Sequence, residues 1–265
     1  MIDRALLTEL LRVYPWQPAS AFYRAAELGH LFVCGPVPPE GRVLDFGCGD
    51  GEVTRIYDAH YHGLRTWDGV DADIHERMLA VCSMLYSQVT PRVSQYDLYD
   101  FAFSNSVLEH VESAAISGIL RDIHIVLKPN APFLLTVPGP DFHRHLRTRN
   151  VAAFDRKHAI RTLWDEASWR RALWSAGFEV RSCTTYLSRA EVRRWEILTA
   201  ITSGVLCALT GHRYRPIELQ RKLGLRRCQR MPRWLARSLA TLLALPLRHM
   251  PGQDTHYAIT AVRAA

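Results

Sequence analysis

Three glycines on alternate positions follow an acidic residue at the end of an apolar run. The apolar residues 43–44 precede Asp45, and the glycines are Gly47, Gly49 and Gly51. Glycine permits positive φ angles and lets a ligand approach the backbone closely, so this loop suits a nucleotide-type cofactor held at the start of a helix. A tight strand-to-helix turn uses the same residues for geometry alone, and the glycines by themselves leave both interpretations open.

A second acidic residue, Asp71, ends the apolar stretch 67–71, twenty residues after Gly51. In an open α/β sheet, a carboxylate at the carboxyl end of the strand next to the glycine loop can accept hydrogen bonds from both ribose hydroxyls of a cofactor. The alternative is an aspartate that only caps a helix starting near Ile74. The spacing favours the ribose role.

The glycine spacing is G-x-G-x-G, whereas a dinucleotide-binding loop is G-x-G-x-x-G, which argues against a nicotinamide or flavin cofactor. Residues 44–51, Leu-Asp-Phe-Gly-Cys-Gly-Asp-Gly, resemble the first motif of class I S-adenosylmethionine-dependent methyltransferases, in particular the small-molecule, type 11-like group. The resemblance implies that Asp45 and the glycine backbone hold the amino-acid end of S-adenosylmethionine, which carries an ammonium group.

Residues 104–110, Ser-Asn-Ser-Val-Leu-Glu-His, resemble the end of the family's fourth strand and the turn after it. The resemblance implies an α/β fold, a Rossmann-like doubly wound sheet of seven strands whose last strand is antiparallel, with a helical insertion between strands six and seven. The residues predicted to bind the cofactor are Asp45, Gly47, Cys48, Gly49, Gly51, Asp71, Ala72, Asp97 and Asn105.

The region between Met84 and Asp100 departs from the family pattern, because it leaves little room for a full third strand and the loop after it. Asp97 is the nearest candidate for the acidic residue that usually lies on the adenine side. It could equally be a turn residue between strands three and four, and both interpretations stay open.

Apolar periodicity and turn residues place the remaining elements. Helices are predicted over 21–31, over 116–127, where Lys128-Pro129-Asn130 ends the helix, and from the capping Asp165 through Ala176. Strands are predicted at 101–103, 131–138, 178–187 and 256–262, and residues 104–106 are predicted as the loop that follows the fourth strand.

The length of 265 residues and the apolar content of 48% predict one domain over 1–265. Its parts are an N-terminal helical cap (1–40), a cofactor-binding core (41–188), a basic insertion (189–250) and the last strand (251–265). No signal peptide or membrane-spanning stretch is evident, so we expect a cytoplasmic enzyme. The six cysteines form no C-x-x-C pair, which predicts reduced thiols and no metal site.

The insertion 189–250 carries thirteen Arg or Lys residues and three Glu residues, a net charge of +10 in a chain whose total is +7. Such a segment favours an anionic neighbour. It also contains two apolar helical stretches, Trp195–Leu209 and Trp234–Leu245, neither long enough to span a bilayer. Two interpretations stay open: a helical lid with solvated arginines, or a surface that binds a lipid-linked substrate or the inner membrane face as a peripheral enzyme.

Nucleic acid is the least favoured partner, because the insertion offers few stacking aromatic residues and no known RNA-binding or DNA-binding module. An RNA methyltransferase would depend on the arginines of the insertion, namely Arg226, Arg227, Arg230 and Arg233. A third alternative is a protein that keeps the methyltransferase fold only to bind a cofactor or another subunit.

The resemblance implies transfer of a methyl group to a small-molecule or a lipid-linked or glycan-linked acceptor, with oxygen as the expected site. The stretch 14–18, Tyr-Pro-Trp-Gln-Pro, resembles methyltransferases of bacterial cell-surface glycan and lipid pathways. Methyl transfer is an in-line displacement, and a general base is needed only for hydroxyl or protonated amine acceptors. Histidine suits that task. The predicted catalytic candidates are His110, His143 and His145, with His158 as a further one, although His110 would also serve to cap the turn after strand four.

Overall fold

The computed structural model of the protein describes residues 2–93, 98–209, 216–224, 230–245 and 254–264. The chain divides into two compact units, which we describe separately. The sheet unit comprises Leu31–Pro140, Arg161–Thr185 and His256–Ala265, and the helical unit comprises Met1–His30, Asp141–Ile160 and Tyr186–Thr255. The predicted single-domain organisation stays a prediction.

Seven strands form one sheet in the order β3-β2-β1-β4-β5-β7-β6. The strands β1, β2, β3, β4 and β5 run parallel to one another, and β7 pairs antiparallel with β5. The predicted fold class, a Rossmann-like doubly wound α/β sheet with an antiparallel last strand and an inserted helical segment, is therefore confirmed. The strands are β1 (Gly41–Phe46), β2 (Arg65–Val70), β3 (Tyr86–Thr90), β4 (Phe101–Asn105), β5 (Pro132–Pro138), β6 (Phe178–Ser188) and β7 (Asp254–Arg263).

Twelve α-helices lie in the described part of the chain, and a 3₁₀ turn at Leu108–His110 follows β4. None of these helices combines the length and the apolar character needed to cross a bilayer. The helices are α1 (Arg4–Val13), α2 (Pro18–Cys34), α3 (Glu52–Tyr61), α4 (Ile74–Val81), α5 (Ser113–Val126), α6 (Asp141–His145), α7 (Val151–His158), α8 (Glu166–Ser175), α9 (Arg189–Thr199), α10 (Val205–Leu209), α11 (Pro216–Lys222) and α12 (Arg233–Leu243).

The core of the sheet unit consists of the central strands and the helices α5 and α8. All five residues of β4 are buried, as expected for a parallel strand covered on both faces. The helix α5 contributes the apolar positions Ile116, Leu120 and Ile123, spaced three and four residues apart, so that one side of the helix packs on the sheet. This core fixes the strand ends at which the candidate site lies.

Several predicted element boundaries agree with the structure. Asp165 caps α8 by accepting a hydrogen bond from the Ser168 amide, and Gly177 follows the helix with a φ of 94°. Asn130 adopts a left-handed φ of 64° between α5 and β5, as expected for asparagine at this turn. The predicted helix 21–31 lies within the longer α2.

Two sequence predictions were wrong. The region between Met84 and Asp100 does contain the third strand, because β3 forms over Tyr86–Thr90 and pairs with β2. It is the edge strand and is only half-buried, so it lacks the apolar run that marks the central strands. The fourth strand also extends further than predicted: Ser104 and Asn105 belong to β4 rather than to a loop, and they pair with Leu135 and Thr136 of β5. Asp97, Arg226 and Arg227 lie outside the described residues.

The glycine in α5 allows a test of helix packing. A methyl group added at Gly118 would meet no neighbouring atom within 4 Å. Because alanine loses less backbone entropy in a helix, Gly118→Ala should raise the free energy of unfolding by about 0.5–1 kcal/mol in urea titrations. The contrast is Gly177→Ala, where φ is 94° and the methyl group would come within 2.6 Å of His124 Nε2, so stability should fall. A destabilised Gly118→Ala variant would contradict this assignment.

In the helical unit, the predicted helical stretches of the insertion are confirmed. The helices α9 and α10 flank a π-helical turn at Ala200–Gly204 and together cover Arg189–Leu209. Ser188 and Glu191 form a capping box at the start of α9. The helix α12 packs against α1, and the Met231 amide donates a hydrogen bond to the carbonyl of Arg12.

Candidate cofactor site

The three loop glycines between β1 and α3 have different structural requirements. Their φ angles are 81° at Gly47, 56° at Gly49 and 76° at Gly51. A Cβ atom at Gly47 would lie 2.2 Å from Val107, and one at Gly51 would lie 2.6 Å from Tyr86. At Gly49 it would meet nothing within 4 Å. Packing explains two of the glycines, whereas Gly49 borders open space into which a ligand can reach the backbone.

Hydrogen bonds from the loop amides tie the loop to its surroundings. The Gly47 and Cys48 amides donate to the carbonyl of Val70 at the end of β2, over 2.7 and 3.0 Å. The Gly49 amide donates to Asp71 Oδ2 over 3.0 Å, and the Gly51 amide donates to the carbonyl of Cys48. These four amides are thus engaged within the protein, so the loop offers a ligand mainly acceptors. Such a loop suits a cationic ammonium group better than a pyrophosphate.

Asp45 is buried beside the loop and held by two hydroxyl groups. Thr54 Oγ1 of α3 and Tyr86 Oη of β3 both donate to Asp45 Oδ2, over 2.6 and 2.5 Å. Burial, together with the neighbouring Asp45 carboxylate, raises the pKa of Tyr86 well above its ordinary value, so this hydroxyl stays a donor. Sequence patterns did not identify Thr54 or Tyr86, because neither belongs to a motif.

Asp71 follows β2 and accepts two backbone hydrogen bonds. Besides the Gly49 amide, the Asp73 amide donates to Asp71 Oδ1 over 2.8 Å. Burial raises the pKa of Asp71 above its ordinary value. The cap of α4 is Asp73, whose Oδ1 accepts from the His75 amide. The alternative interpretation of Asp71 as a mere helix cap is therefore wrong.

Asn105 ends β4 and is linked to β5. Thr136 Oγ1 donates to Asn105 Oδ1 over 2.8 Å and accepts a hydrogen bond from the Ser106 amide. Ser106 itself has a positive φ of 52°. The Cys48 thiol is buried, and burial followed by the charges of Asp45 and Asp71 raises its pKa, so it stays protonated. The remaining predicted cofactor residue, Ala72, is exposed after Asp71.

These residues fit a cofactor that carries an ammonium group and a ribose. Each oxygen of a carboxylate has about two acceptor positions. One backbone hydrogen bond to each Asp71 oxygen leaves capacity for a ribose hydroxyl on each of them. Gly49 and Asp71 are joined by a hydrogen bond, so the open space beside Gly49 and the Asp71 carboxylate are adjacent.

The candidate catalytic histidines divide between the two units. His110 ends the 3₁₀ turn of the sheet unit, and its Nε2 lies 4.0 Å from Glu109 Oε1. His143 and His145 lie on α6 of the helical unit. His143 Nε2 is 2.8 Å from Oδ1 of Asp155 on α7, a hydrogen-bonded pair of the kind found in general-base catalysis. His158 ends α7 next to Trp195, with 5.4 Å between the ring centroids.

A methyltransferase-domain family model matches residues 10–183. A search of curated proteins finds no match. Solved structures with the same fold include an S-adenosylmethionine-dependent methyltransferase from Mesorhizobium loti, 16% identical with a TM-score of 0.54, covering 91% of this chain and 100% of that chain. For a cyclopropane synthase from Mycobacterium tuberculosis the identity is 15% and the TM-score 0.57, with coverage of 91% and 82%.

A third similar structure is phosphoethanolamine N-methyltransferase 2 of Haemonchus contortus in complex with S-adenosyl-L-methionine. It is 14% identical with a TM-score of 0.53, and the alignment covers 99% of this chain and 58% of that chain. At these identities the structures show the fold alone, whereas the family model extends over more than half of the residues. The predictions of an S-adenosylmethionine-dependent methyltransferase and of its fold are therefore confirmed: the chain belongs to the methyltransferase-domain family.

Proposed function

We propose that this methyltransferase transfers the methyl group of S-adenosylmethionine to a hydroxyl oxygen of a small-molecule, lipid-linked or glycan-linked acceptor. The observation that carries the cofactor part is the open space beside Gly49, next to the Asp71 carboxylate. S-adenosylmethionine supplies an electrophilic methyl group on a sulfonium. The protein binds and orients this donor and removes the acceptor proton.

In this proposal Asp71 accepts hydrogen bonds from both ribose hydroxyls. The carbonyl groups of the loop 47–51 accept from the ammonium group, and the buried Asp45 attracts it by charge. Asn105 and Ala72 border the cofactor at the ends of β4 and β2, and Asp97 stays a proposed adenine-side residue. The support for this arrangement is that the loop amides are engaged within the protein, which leaves acceptors for a cation.

For the general base we propose His143. Its Nε2 is within hydrogen-bonding distance of the Asp155 carboxylate. If the Nε2 proton is donated to Asp155, the carboxylate fixes the tautomer and Nδ1 is the atom that takes up the acceptor proton. The ring of Phe142 lies 6.2 Å from that of His143, and the side chains of His143 and Asp155 are 23% and 26% exposed, so the pair is partly shielded from water.

Substitution of the histidines tests this role. His143→Gln should lower the rate constant of methyl transfer by about 10²–10⁴-fold without changing the affinity for S-adenosylhomocysteine, because a base acts on the acceptor and not on the donor. Asp155→Asn should show a smaller loss of the same kind. His110→Gln and His145→Gln are the matched controls. If His143→Gln retains the wild-type rate while one of the control variants loses activity, the base is the histidine replaced in that control variant.

The acceptor class is tested with isotopically labelled S-adenosylmethionine and separate membrane and soluble extracts. Label transferred to organic-soluble material from the membrane extract would support a lipid-linked acceptor, and label in small soluble products would support a free one.

We also propose that residues 189–250 bind an anionic membrane surface and that the protein is a peripheral enzyme at the inner membrane face. The support is the net charge of +10 in that segment.

A further inference from the structure

The basic insertion begins with a long helical segment whose exposed side chains follow a regular pattern. The helix α9, the π-helical turn at 200–204 and the helix α10 form a continuous segment from Arg189 to Leu209. Every fourth residue along it is exposed, starting with two arginines and continuing with four apolar residues. This stripe consists of Arg189, Arg193, Ile197, Ile201, Val205 and Leu209.

The π-helical turn keeps the four apolar residues of the stripe on one side of the segment. In a regular α-helix, four residues exceed one full turn by about 40°, so a spacing of four winds slowly around the axis. A π turn has i→i+5 hydrogen bonds and takes more residues per turn, which offsets this winding. The four apolar side chains therefore extend along one side over about 18 Å.

The exposure of these side chains is unusual for a surface that faces only water. The exposed fractions are 42% for Ile197, 63% for Ile201, 50% for Val205 and 79% for Leu209. Single exposed apolar residues are common, whereas a continuous row marks an interaction site.

Other residues of α9 anchor the helix within its unit. Val192 and Thr199 are buried. Glu196 accepts hydrogen bonds from the amides of Arg147 and Thr148, over 2.6 and 2.8 Å. The ring of Trp195 packs near that of Phe142, with 5.7 Å between the centroids. The helix thus has one side committed to its own unit and another side that presents apolar residues outward.

We propose that this stripe docks the protein on an anionic lipid surface, with the apolar residues in the headgroup region and the arginines against lipid phosphates. The proposal deepens the partner named in the proposed function. Apolar side chains that adjoin basic ones match the boundary between acyl chains and anionic headgroups. A second copy of this chain is a poorer occupant, because two segments of net charge +10 would face each other.

The helix α12 carries the same combination of residues. Trp234 and Leu242 of α12 are exposed, as is Leu245 just beyond the helix, and they are accompanied by Arg233 and Arg237, which are also exposed. Tryptophan and arginine are favoured at the lipid interface. The composition of the stripe is therefore repeated on a second element of the same unit.

Vesicle flotation of the full chain tests the proposal. The vesicles contain either phosphatidylcholine alone or phosphatidylcholine with phosphatidylglycerol, and binding is expected only to the latter. The double variant Ile201→Gln with Leu209→Gln should bind about 100-fold more weakly, about tenfold for each apolar side chain. Each of Arg189→Gln and Arg193→Gln should weaken binding about fivefold at low salt. The matched control, Leu64→Gln with Ile125→Gln, changes two exposed apolar residues of the sheet unit and should bind as the wild type does.

Three outcomes would overturn the proposal. They are equal binding to both kinds of vesicle, binding of the stripe variant at the wild-type level, and a change from dimer to monomer in the stripe variant, which would assign the stripe to a second copy. Titration with S-adenosylhomocysteine is done on every variant. Wild-type affinity in the stripe variant shows an intact fold. If the unmodified protein does not bind S-adenosylhomocysteine, the proposed function is refuted, whereas the flotation result remains valid.

Discussion

Asp71→Asn is expected to weaken the binding of S-adenosylhomocysteine by about 100-fold or more, measured by isothermal titration calorimetry. The amide replaces one acceptor oxygen by a donor, so one ribose hydroxyl loses its charge-assisted hydrogen bond, worth about 1.5–3 kcal/mol. In the wild type the backbone amides of Gly49 and Asp73 each donate to one Asp71 oxygen. In the variant, one of these two amides would face the donor group of asparagine and lose its hydrogen bond. Both effects lower the affinity for the cofactor.

The control for this prediction is Asp73→Asn, two residues along the chain. Asp73 caps α4 through the His75 amide, and asparagine caps a helix about as well as aspartate. Its affinity should stay close to that of the wild type. An Asp71→Asn variant that binds within a factor of two of the wild type would exclude the ribose role.

The same carboxylate predicts a pH dependence. In the proposed arrangement the ionised form of Asp71 accepts the ribose hydrogen bonds, and burial raises the pKa of this carboxyl above the ordinary value. The affinity for the cofactor should therefore be highest at pH values above that raised pKa, and it should fall as the pH decreases through the pKa. An exposed aspartate would show the same fall only at lower pH.

Substitution of the loop glycines should separate cofactor binding from stability. Gly49→Asn should weaken S-adenosylhomocysteine binding by about 100-fold or more, because the side chain enters the open space beside the loop. The loss of stability should be small, about 1 kcal/mol or less, because asparagine tolerates the left-handed φ of 56°. Calorimetric titration and urea unfolding measure the two effects on the same preparation.

Gly47→Asn provides the opposite case. Its Cβ would lie 2.2 Å from Val107, so the substitution should destabilise the fold by several kcal/mol, as overpacking and strain do in a dense core. If Gly49→Asn instead unfolds the protein while binding per folded molecule is unchanged, the open space serves no ligand.

The parts of the site that the sequence predicted are those fixed by local geometry. Gly47, Gly49 and Gly51 all have positive φ, which glycine adopts with the least strain, and Asp71 directly follows a buried strand. Such requirements are visible in residue type and spacing. The central strands were recognisable for a similar reason, since strands covered on both faces show continuous apolar runs.

The parts that the sequence did not predict depend on contacts between distant residues. Tyr86 meets Asp45 across 41 positions, and His143 meets Asp155 on a different helix. No periodicity or spacing encodes such pairs, because the fold alone brings them together. The edge strand β3 was missed because a half-buried strand lacks the continuous apolar signal.

The hydrogen bonds from Thr54 and Tyr86 to Asp45 have a consequence for the kinetics of cofactor exchange. They join α3, β1 and β3 around the loop before any ligand arrives. A receptor that is already ordered pays little conformational entropy on binding and needs no slow rearrangement. Association should then be fast and similar for S-adenosylmethionine and S-adenosylhomocysteine. Discrimination between substrate and product would arise from their residence times.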